Sequence, residues 1–301
     1  MRELLSSCQL CPRRCRVNRL QGETGFCGAT GSEPKIYSYQ VHWGEEPPLT
    51  GTGGSGTIFF SHCHGRCVYC QNYHFSCLGQ GKTVAIMELV DIMLQLQGRG
   101  VHNINLVTPT HFVPQIIEAA GIARDKGLTI PIVYNTNGYE LPETLELLKG
   151  IVDIYLPDMR YSSDAAALKY SMMPGYVPIN RQAVKIMHDQ TGDLVIKDGA
   201  ATRGLIIRLL VLPNRVAGVA DSLRFIKEEI GTDVYLSLME QYYPVFQANQ
   251  YPEIARQITV EEYQEVRDIM IEYGFTRGWC QDKPEPRARD RFLGVNLDPQ
   301  I

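Results

Sequence analysis

The chain has 301 residues, of which 44% are hydrophobic and 21% are charged, a composition ordinary for a soluble globular protein. This length allows one large domain or two. The formal net charge of −4 gives no support for a nucleic-acid-binding surface. The longest apolar stretches fall well short of ~20 residues and the N-terminus has no apolar signal core, so we expect neither a membrane segment nor export.

Nine cysteines in a chain without an export signal favour a cytoplasmic protein with metal ligation over disulfide bonds. A first group, within residues 1–30, consists of Cys8, Cys11, Cys15 and Cys27. Four thiols make a closed ligand set for a tetrahedral zinc ion or a fully ligated iron–sulfur cluster, and reduced thiols in a metal-free core are the alternative. Because so short a segment cannot fold on a hydrophobic core alone, a metal would stabilise it.

We assign residues 1–55 to a cysteine-rich module and its linker. Prolines and the glycine-rich run at 51–56 make regular structure unlikely at the end of this linker. No P-loop lysine follows the run, so we expect its glycines to allow a close approach of the backbone to neighbouring atoms.

A second cysteine group follows residues 57–60, Thr-Ile-Phe-Phe, which predict a short buried strand. Cys63, Cys67 and Cys70 have the spacing C-x3-C-x2-C. A cubane [4Fe–4S] cluster bound by three cysteines keeps one iron without a protein ligand, and an open coordination position admits a substrate. A structural zinc loop or a cluster of buried thiols is the alternative.

Strand-like and helix-like segments alternate along the rest of the chain. Further strands are predicted at 103–107, 130–134, 152–156, 205–212 and 234–238. Helices are predicted at 84–97, 113–126, 142–149, 163–171, 180–190, 219–229 and from Thr259 to Gly274, the last with a capping box formed by Thr259 and Glu262.

The alternation of six strand–helix units predicts an α/β fold, a partial (β/α)6 TIM-like barrel, over residues 56–275. Residues 276–301 are predicted to form a C-terminal tail. A site in such a barrel lies where the loops after the strands converge. The polar residues in or after the second to fifth strands are Thr108, Thr110, Asn135, Asn137, Asp158, Arg160 and Arg208. A buried Arg208 requires an anionic partner, for example Asp158 or Glu240.

The spacing of Cys63, Cys67 and Cys70 resembles the signature of the radical S-adenosylmethionine (SAM) enzymes. Residues 54–60, Gly-Ser-Gly-Thr-Ile-Phe-Phe, and residues 67–73, Cys-Val-Tyr-Cys-Gln-Asn-Tyr, are similar to the PflX-type subfamily. Members of that subfamily are relatives of pyruvate formate-lyase activating enzyme. The resemblance extends over nearly the whole chain.

The resemblance implies a [4Fe–4S] cluster whose open iron binds SAM, and reductive cleavage of SAM to a 5′-deoxyadenosyl radical that abstracts hydrogen. It implies adenine packing by Tyr69 and SAM contacts by the strand-end residues. Thr108 and Thr110 stand where relatives carry Gly-Gly-Glu. Residues 135–138, Asn-Thr-Asn-Gly, are similar to the activating enzymes' Asp-Thr-Asn-Gly, and residues 158–160, Asp-Met-Arg, to their Asp-Leu-Lys.

The substrate implied by the resemblance is a backbone glycine of a glycyl radical enzyme, with flavodoxin or ferredoxin as the electron donor. Hydrogen abstraction from a small metabolite or another macromolecule is the alternative enzymatic function. The alternative without catalysis is an iron–sulfur electron carrier or scaffold. Cys77 and Cys280 lie outside both predicted metal sites.

Overall fold

The structure is a computed structural model that describes residues 3–281. Residues 282–301 of the predicted tail lie outside the described part of the chain. Within residues 3–281, ten strands form one sheet. They are β1 (Lys35–His42), β2 (Ser55–Phe60), β3 (Lys82–Thr83), β4 (Ile104–Val107), β5 (Ile132–Thr136), β6 (Ile154–Pro157), β7 (Val195–Lys197), β8 (Ala200–Leu210), β9 (Tyr235–Met239) and β10 (Gly278–Cys280).

The helices of the same described range lie mainly between the strands. They are α1 (Glu3–Ser6), α2 (Pro47–Thr50), α3 (Tyr73–Ser76), α4 (Ile86–Gly98), α5 (Val113–Asp125), α6 (Pro142–Leu148), α7 (Asp164–Ser171), α8 (Tyr176–Thr191), α9 (Val219–Glu229) and α10 (Val260–Glu272). Short 3-10 segments occur at Arg19–Gln21, Thr110–Phe112, Pro213–Arg215, Ala248–Gln250 and Pro252–Ile254. In this described part, no helix has the length and apolar character needed to cross a bilayer.

Six strands, in the order β2-β4-β5-β6-β8-β9, pair in parallel and confirm the predicted partial barrel. Strand β10 extends the sheet in parallel beside β9, and β1 and β3 extend the other edge in antiparallel pairing. The capping box of α10 is also confirmed, because Thr259 and Glu262 exchange hydrogen bonds with each other's backbone N–H.

Successive side chains along the strands point alternately to the outer and inner faces of the sheet, so the barrel has two packed layers. On the outer face Tyr134, Tyr155 and Leu205 pack against the helices. On the inner face Val133 and Ile206 belong to a separate apolar cluster with Leu49. Strands buried on both faces have few polar positions, which explains why they appear in the sequence as nearly continuous apolar runs.

The linker carries more regular structure than predicted. Strand β1 was not predicted, and α2 lies in the segment where helix or strand was expected to be absent. Pro47 and Pro48 occupy the first turn of α2, where the missing N–H breaks no helical hydrogen bond. The predicted close approach is confirmed, since a Cβ on Gly53 would clash with the carbonyl oxygen of Gly100.

A similar correction applies to α8, which was predicted to begin at Asn180. It begins at Tyr176, because Pro178 lies in the first turn and is tolerated there.

The N-terminal segment packs directly on the barrel. Thr144 of α6 donates a hydrogen bond of 2.9 Å to the Leu10 carbonyl. Arg14 pairs with Glu143 at 3.0 Å, and Arg19 donates to the carbonyl of His111. The boundary at residue 55 stays a prediction.

Leu49 provides a test of the inner layer, because it is fully buried and α2 brings it into the barrel. We expect Leu49→Ala to lower the free energy of unfolding by about 2–5 kcal/mol, since it leaves a cavity among large apolar side chains. Chemical denaturation would measure the loss. The control is Leu168→Ala on α7, where the side chain is 54% exposed and a change within about 0.5 kcal/mol is expected. Equal losses in both variants would contradict a packing role for α2.

Candidate active site

A cavity of about 80 Å³ lies at the carboxyl ends of the parallel strands. It contains all three cysteines of the C-x3-C-x2-C motif and most of the predicted strand-end residues. The lining includes Cys63, Cys67, Cys70, Cys77, Thr108, Asn135, Asn137, Asp158, Arg160 and Arg208. The site therefore lies where a TIM-like barrel is expected to place it.

The cysteine loop after β2 is attached to the end of α7. The N–H groups of Arg66 and Val68 donate to the carbonyls of Ser171 and Tyr170, each at 2.9 Å. The Ser171 hydroxyl in turn donates to Cys67 Sγ at 3.0 Å. Strand β2 and helix α7 together therefore fix the position of this loop.

Hydrogen-bond donors surround the motif sulfurs. The amide of Gly65 lies 3.3 Å from Cys63 Sγ, Arg160 Nη1 lies 3.3 Å from Cys67 Sγ, and Asn137 Nδ2 lies 3.6 Å from Cys63 Sγ. Such donors stabilise sulfur that carries negative charge. Burial raises the pKa of Cys63 to about 12, so coordination to iron is needed to hold its sulfur as a thiolate at neutral pH.

Asp158 joins two arginines at the inner edge of the cavity. Its carboxylate lies 2.6 Å from Arg160 Nη2 and 2.8 Å from Arg208 Nε. Arg208 Nη2 also donates to Asn135 Oδ1 at 2.7 Å. Burial alone would raise the pKa of Asp158, but the two guanidinium groups outweigh that effect and lower it. The anionic partner predicted for Arg208 is thus Asp158.

The surroundings of the three thiols fit the cluster and cofactor that the motif implies. The motif sulfurs face a cavity together, and none is engaged in a disulfide bond. Within the described residues, Arg160 Nε is buried without a hydrogen-bond partner. An unpaired buried guanidinium donor is costly unless an anion satisfies it. Arg160 is therefore a suitable partner for the carboxylate of a SAM molecule bound beside the cysteines.

Two predicted cofactor-binding residues do not line this cavity. The hydroxyl of Tyr69 lies 2.6 Å from that of Tyr161, and its ring packs against Tyr242 within the core. Thr110 lies in a 3-10 turn that points its hydroxyl to Glu140, at 2.6 Å. This hydrogen bond satisfies the buried Glu140 carboxyl, and contact between Thr110 and SAM stays a prediction. Contact between Tyr69 and an adenine stays a prediction.

Thr108, in contrast, lies on the cavity wall in a left-handed conformation, with φ of 58°. Left-handed backbone is uncommon outside glycine and is often found at functional sites. The prediction that Thr108 contacts SAM, in place of the relatives' Gly-Gly-Glu turn, is therefore compatible with the geometry.

Cys77 is a site residue that the motif analysis missed. It follows α3, lines the same cavity, and shares a donor with the third motif cysteine. Ser76 Oγ lies 3.1 Å from Cys70 Sγ and 3.6 Å from Cys77 Sγ. The six-residue gap after Cys70 gave no indication of this proximity, because it depends on the turn into α3.

The four N-terminal cysteines lie outside the cavity lining. The amides of Phe26 and Ala29 lie 3.4 Å from the sulfurs of Cys15 and Cys27, respectively. Burial raises the pKa of the Cys27 thiol. Across residues 3–281, no three His, Cys, Asp or Glu side chains group closely enough to hold one metal ion. In a cubane cluster each cysteine binds a different iron, so this finding concerns only a site for a single metal ion. The second metal site stays a prediction.

The charge balance around Asp158 generates a stability prediction. Asp158→Asn would leave two largely buried guanidinium groups without their shared anion, and we expect a loss of about 3–5 kcal/mol at pH 7. Because the pKa of Asp158 is lowered on folding, its contribution is present above the unfolded value near ~4 and is lost as the pH falls below it. Urea denaturation between pH 7 and pH 3 would therefore show a weaker acid dependence in the variant.

The matched control for this prediction is Asp221→Asn, which disrupts an exposed pair with Arg224 in which both side chains are 56% exposed. It should cost at most about 1 kcal/mol. An Asp158→Asn variant as stable as this control would show that the buried charges are compensated in another way.

Comparison with known proteins agrees with this geometry. Residues 57–189 match the model of the Radical SAM superfamily. Uncharacterized protein MJ0674 of Methanocaldococcus jannaschii is 32% identical over 283 residues, which cover 90% of this chain and 76% of that protein. The matched region of the family model contains the cysteine motif and the ends of β4, β5 and β6.

Solved structures show the same fold. The FeFe-hydrogenase maturase HydG from Carboxydothermus hydrogenoformans is 15% identical with a TM-score of 0.51, and the match covers 77% of this chain and 54% of that chain. Streptococcus suis SuiB bound to S-adenosylmethionine is 12% identical with a TM-score of 0.53, and the match covers 73% and 48%, respectively. The chain spans about half the length of these proteins. With the fold, the motif and the relative taken together, the chain belongs to the radical SAM superfamily.

Proposed function

We propose that this protein cleaves SAM reductively and uses the resulting radical to abstract hydrogen from a substrate bound inside the barrel. The observation that carries the proposal is that Cys63, Cys67 and Cys70 share one cavity with the Asp158–Arg160–Arg208 network. A cluster bound by these cysteines would supply the electron for reductive cleavage of SAM to methionine and a 5′-deoxyadenosyl radical.

The chain's own residues would position SAM for that step. Arg160 lies next to Cys67 and has a free buried Nε, so it can receive the carboxylate of SAM on the side of the thiols. Asp158 fixes the guanidinium of Arg160 in this position. Asn135, Asn137 and Thr108 supply further polar groups on the same wall. Fixed polar groups of this kind hold reactants in a productive geometry.

The more specific proposal is activation of a glycyl radical enzyme, with flavodoxin or ferredoxin as the electron donor. It rests on the similarity of residues 54–60 and 67–73 to the PflX-type subfamily and of residues 135–138 to the turn of the activating enzymes. Hydrogen abstraction from a small metabolite is the alternative within the same chemistry. An iron–sulfur electron carrier or scaffold is the alternative without SAM cleavage.

The first test measures SAM cleavage by the anaerobically reconstituted protein. With SAM and a strong reductant we expect 5′-deoxyadenosine from the wild type and none from Cys67→Ala. A cluster that forms without SAM binding or cleavage would instead favour the electron carrier or scaffold.

A second measurement addresses Arg160 itself. Arg160→Met should raise the Kd for SAM by about tenfold or more, because a charge-assisted hydrogen bond is worth about 1.5–3 kcal/mol. The control is Arg224→Met on the exposed surface of α9, which should bind SAM as the wild type does. Iron content should be equal in all three proteins. An unchanged Kd in Arg160→Met would exclude Arg160 from SAM binding.

The activase proposal is tested by incubating the reconstituted protein and SAM with pyruvate formate-lyase. Electron paramagnetic resonance should detect a glycyl radical on the lyase, and Cys67→Ala should give none. If SAM is cleaved while the lyase stays radical-free, the result would favour a different substrate.

A further inference from the structure

A second cavity, of about 110 Å³, lies next to the cavity that contains Cys63, Cys67 and Cys70, which we call the cluster cavity. The two share Asn72, Val107, Asn135 and Arg208 as lining residues. A molecule in the second cavity would therefore lie next to the SAM site of the proposed function. The volume is sufficient for several waters or for the end of a substrate with a few non-hydrogen atoms.

Acidic residues from the linker form one wall of this cavity. Glu45 and Glu46 lie between β1 and α2, and both line the cavity. Glu46 is 3% exposed, and the side chain of Glu45 is 10% exposed. Burial raises the pKa of both carboxyls, and Arg208 partly opposes this effect.

The basic groups nearby do not balance these carboxylates. His42 Nε2 lies 4.0 Å from Glu45 Oε1, but burial lowers the pKa of this imidazole. Arg208 already makes its hydrogen bonds to Asp158 and Asn135, and Arg160 pairs with the same aspartate. Three carboxyl groups, of Asp158, Glu45 and Glu46, thus face two guanidinium groups, all of them largely buried. Because an uncompensated buried charge is costly, the second cavity favours a ligand that brings positive charge.

Unpaired acceptors support the same conclusion. Within the described residues, Glu46 Oε2 and Gln241 Oε1 are buried and have no hydrogen-bond partner. Ser237 lies beside Glu46, yet its hydroxyl also lacks a hydrogen bond of normal geometry. Buried acceptors without donors are rare in folded proteins and indicate a missing partner.

Aromatic rings complete the lining. Phe59 and Trp279 both contact the cavity, as does the ring of His42. Burial lowers the pKa of His42, so its imidazole is neutral near pH 7. Aromatic faces beside carboxylates are a typical environment for ammonium and guanidinium groups.

We propose that the second cavity binds a cationic nitrogen of the substrate, an ammonium or guanidinium group held by Glu45, Glu46 and Gln241. This inference rests on the proposed function for the identity of the neighbouring site. The nitrogen belongs either to a free amine or to a lysine or arginine side chain near the reacting position of a protein. An anionic substrate is not favoured, because Arg208 is the arginine that lines this cavity and its donors are already engaged by Asp158 and Asn135.

The test measures binding to the reconstituted protein in the presence of SAM by isothermal titration calorimetry. Three probes of similar size differ in charge: n-butylammonium, 1-butanol and butyrate. We expect n-butylammonium to bind at least tenfold more tightly than the other two. Equal binding of the three probes, tighter binding of butyrate, or binding of none of them would overturn the proposal.

Variants then locate the cation. Glu45→Gln and Glu46→Gln keep the size of each side chain and should weaken n-butylammonium binding by about tenfold or more. The control is Glu228→Gln on the exposed side of α9, which should bind it as the wild type does. Iron content and SAM affinity show whether each variant is folded and contains its cluster. If Glu46→Gln contains iron and binds SAM normally but keeps its affinity for n-butylammonium, the cation binds elsewhere.

A pair of blocked peptides distinguishes the two sources of the nitrogen. Acetyl-Ala-Lys-Gly-Ala-amide should bind more tightly than its norleucine analogue if the cation comes from a protein. Binding of n-butylammonium alone would indicate a free amine. Production of 5′-deoxyadenosine is measured separately. Cation selectivity without SAM cleavage would count against the proposed function only, and SAM cleavage without selectivity would count against this inference only.

Discussion

The ion pairs of Asp158 connect the parts of the site to one another. One carboxylate receives Arg160 from its own loop and Arg208 from β8; the carboxylate is buried and both arginine side chains are largely buried. Through Arg160 the network reaches Cys67, and through Arg208 it reaches Asn135 on β5. Charges of this kind are stable in a barrel only when they compensate one another. The thiol loop and the strand ends therefore form a single electrostatic unit.

The inner face of the barrel explains why this unit lies where it does. Below it, Leu49, Val133, Leu156 and Ile206 form an apolar layer. One pleat further along the strands, the inward positions become Asn135, Asp158 and Arg208. Since inward positions recur every second residue, the change from apolar to polar occurs at one level on several strands. This boundary separates the apolar layer of the core from the polar lining of the cavity that contains the motif cysteines.

The main strands and helices were predictable because their signals are local. Apolar runs of the right length, glycines after helices and the capping box at Thr259 depend on neighbouring residues only. Helix α9 has the predicted bounds, Val219–Glu229. The missed elements depend on distant partners. Strand β1 pairs with β2 at a sheet edge, and β10 is three residues long beside β9.

The same distinction applies to the site. The motif cysteines could be identified because a metal cluster imposes a short spacing on the sequence. The hydrogen bond from Thr110 to Glu140 could not be predicted, because it depends on the 3-10 turn that follows β4. Cys77 and Glu46 were missed because only the fold brings them to the two cavities. Their distance along the chain from the motif cysteines does not indicate that the fold brings them to these cavities.

The two cavities also differ in the part of the chain that forms them. The cysteine motif and most of the cluster cavity lie within residues 57–189, the region matched by the superfamily model. Much of the second cavity comes from outside that region, namely from residues 42–46 of the linker and from Met239, Gln241 and Trp279. Under the proposed function, the first cavity serves the cleavage of SAM, whereas the second would hold the part of the substrate that carries the positive charge. In this chain the linker and the last strands are therefore the segments in which substrate specificity should be sought.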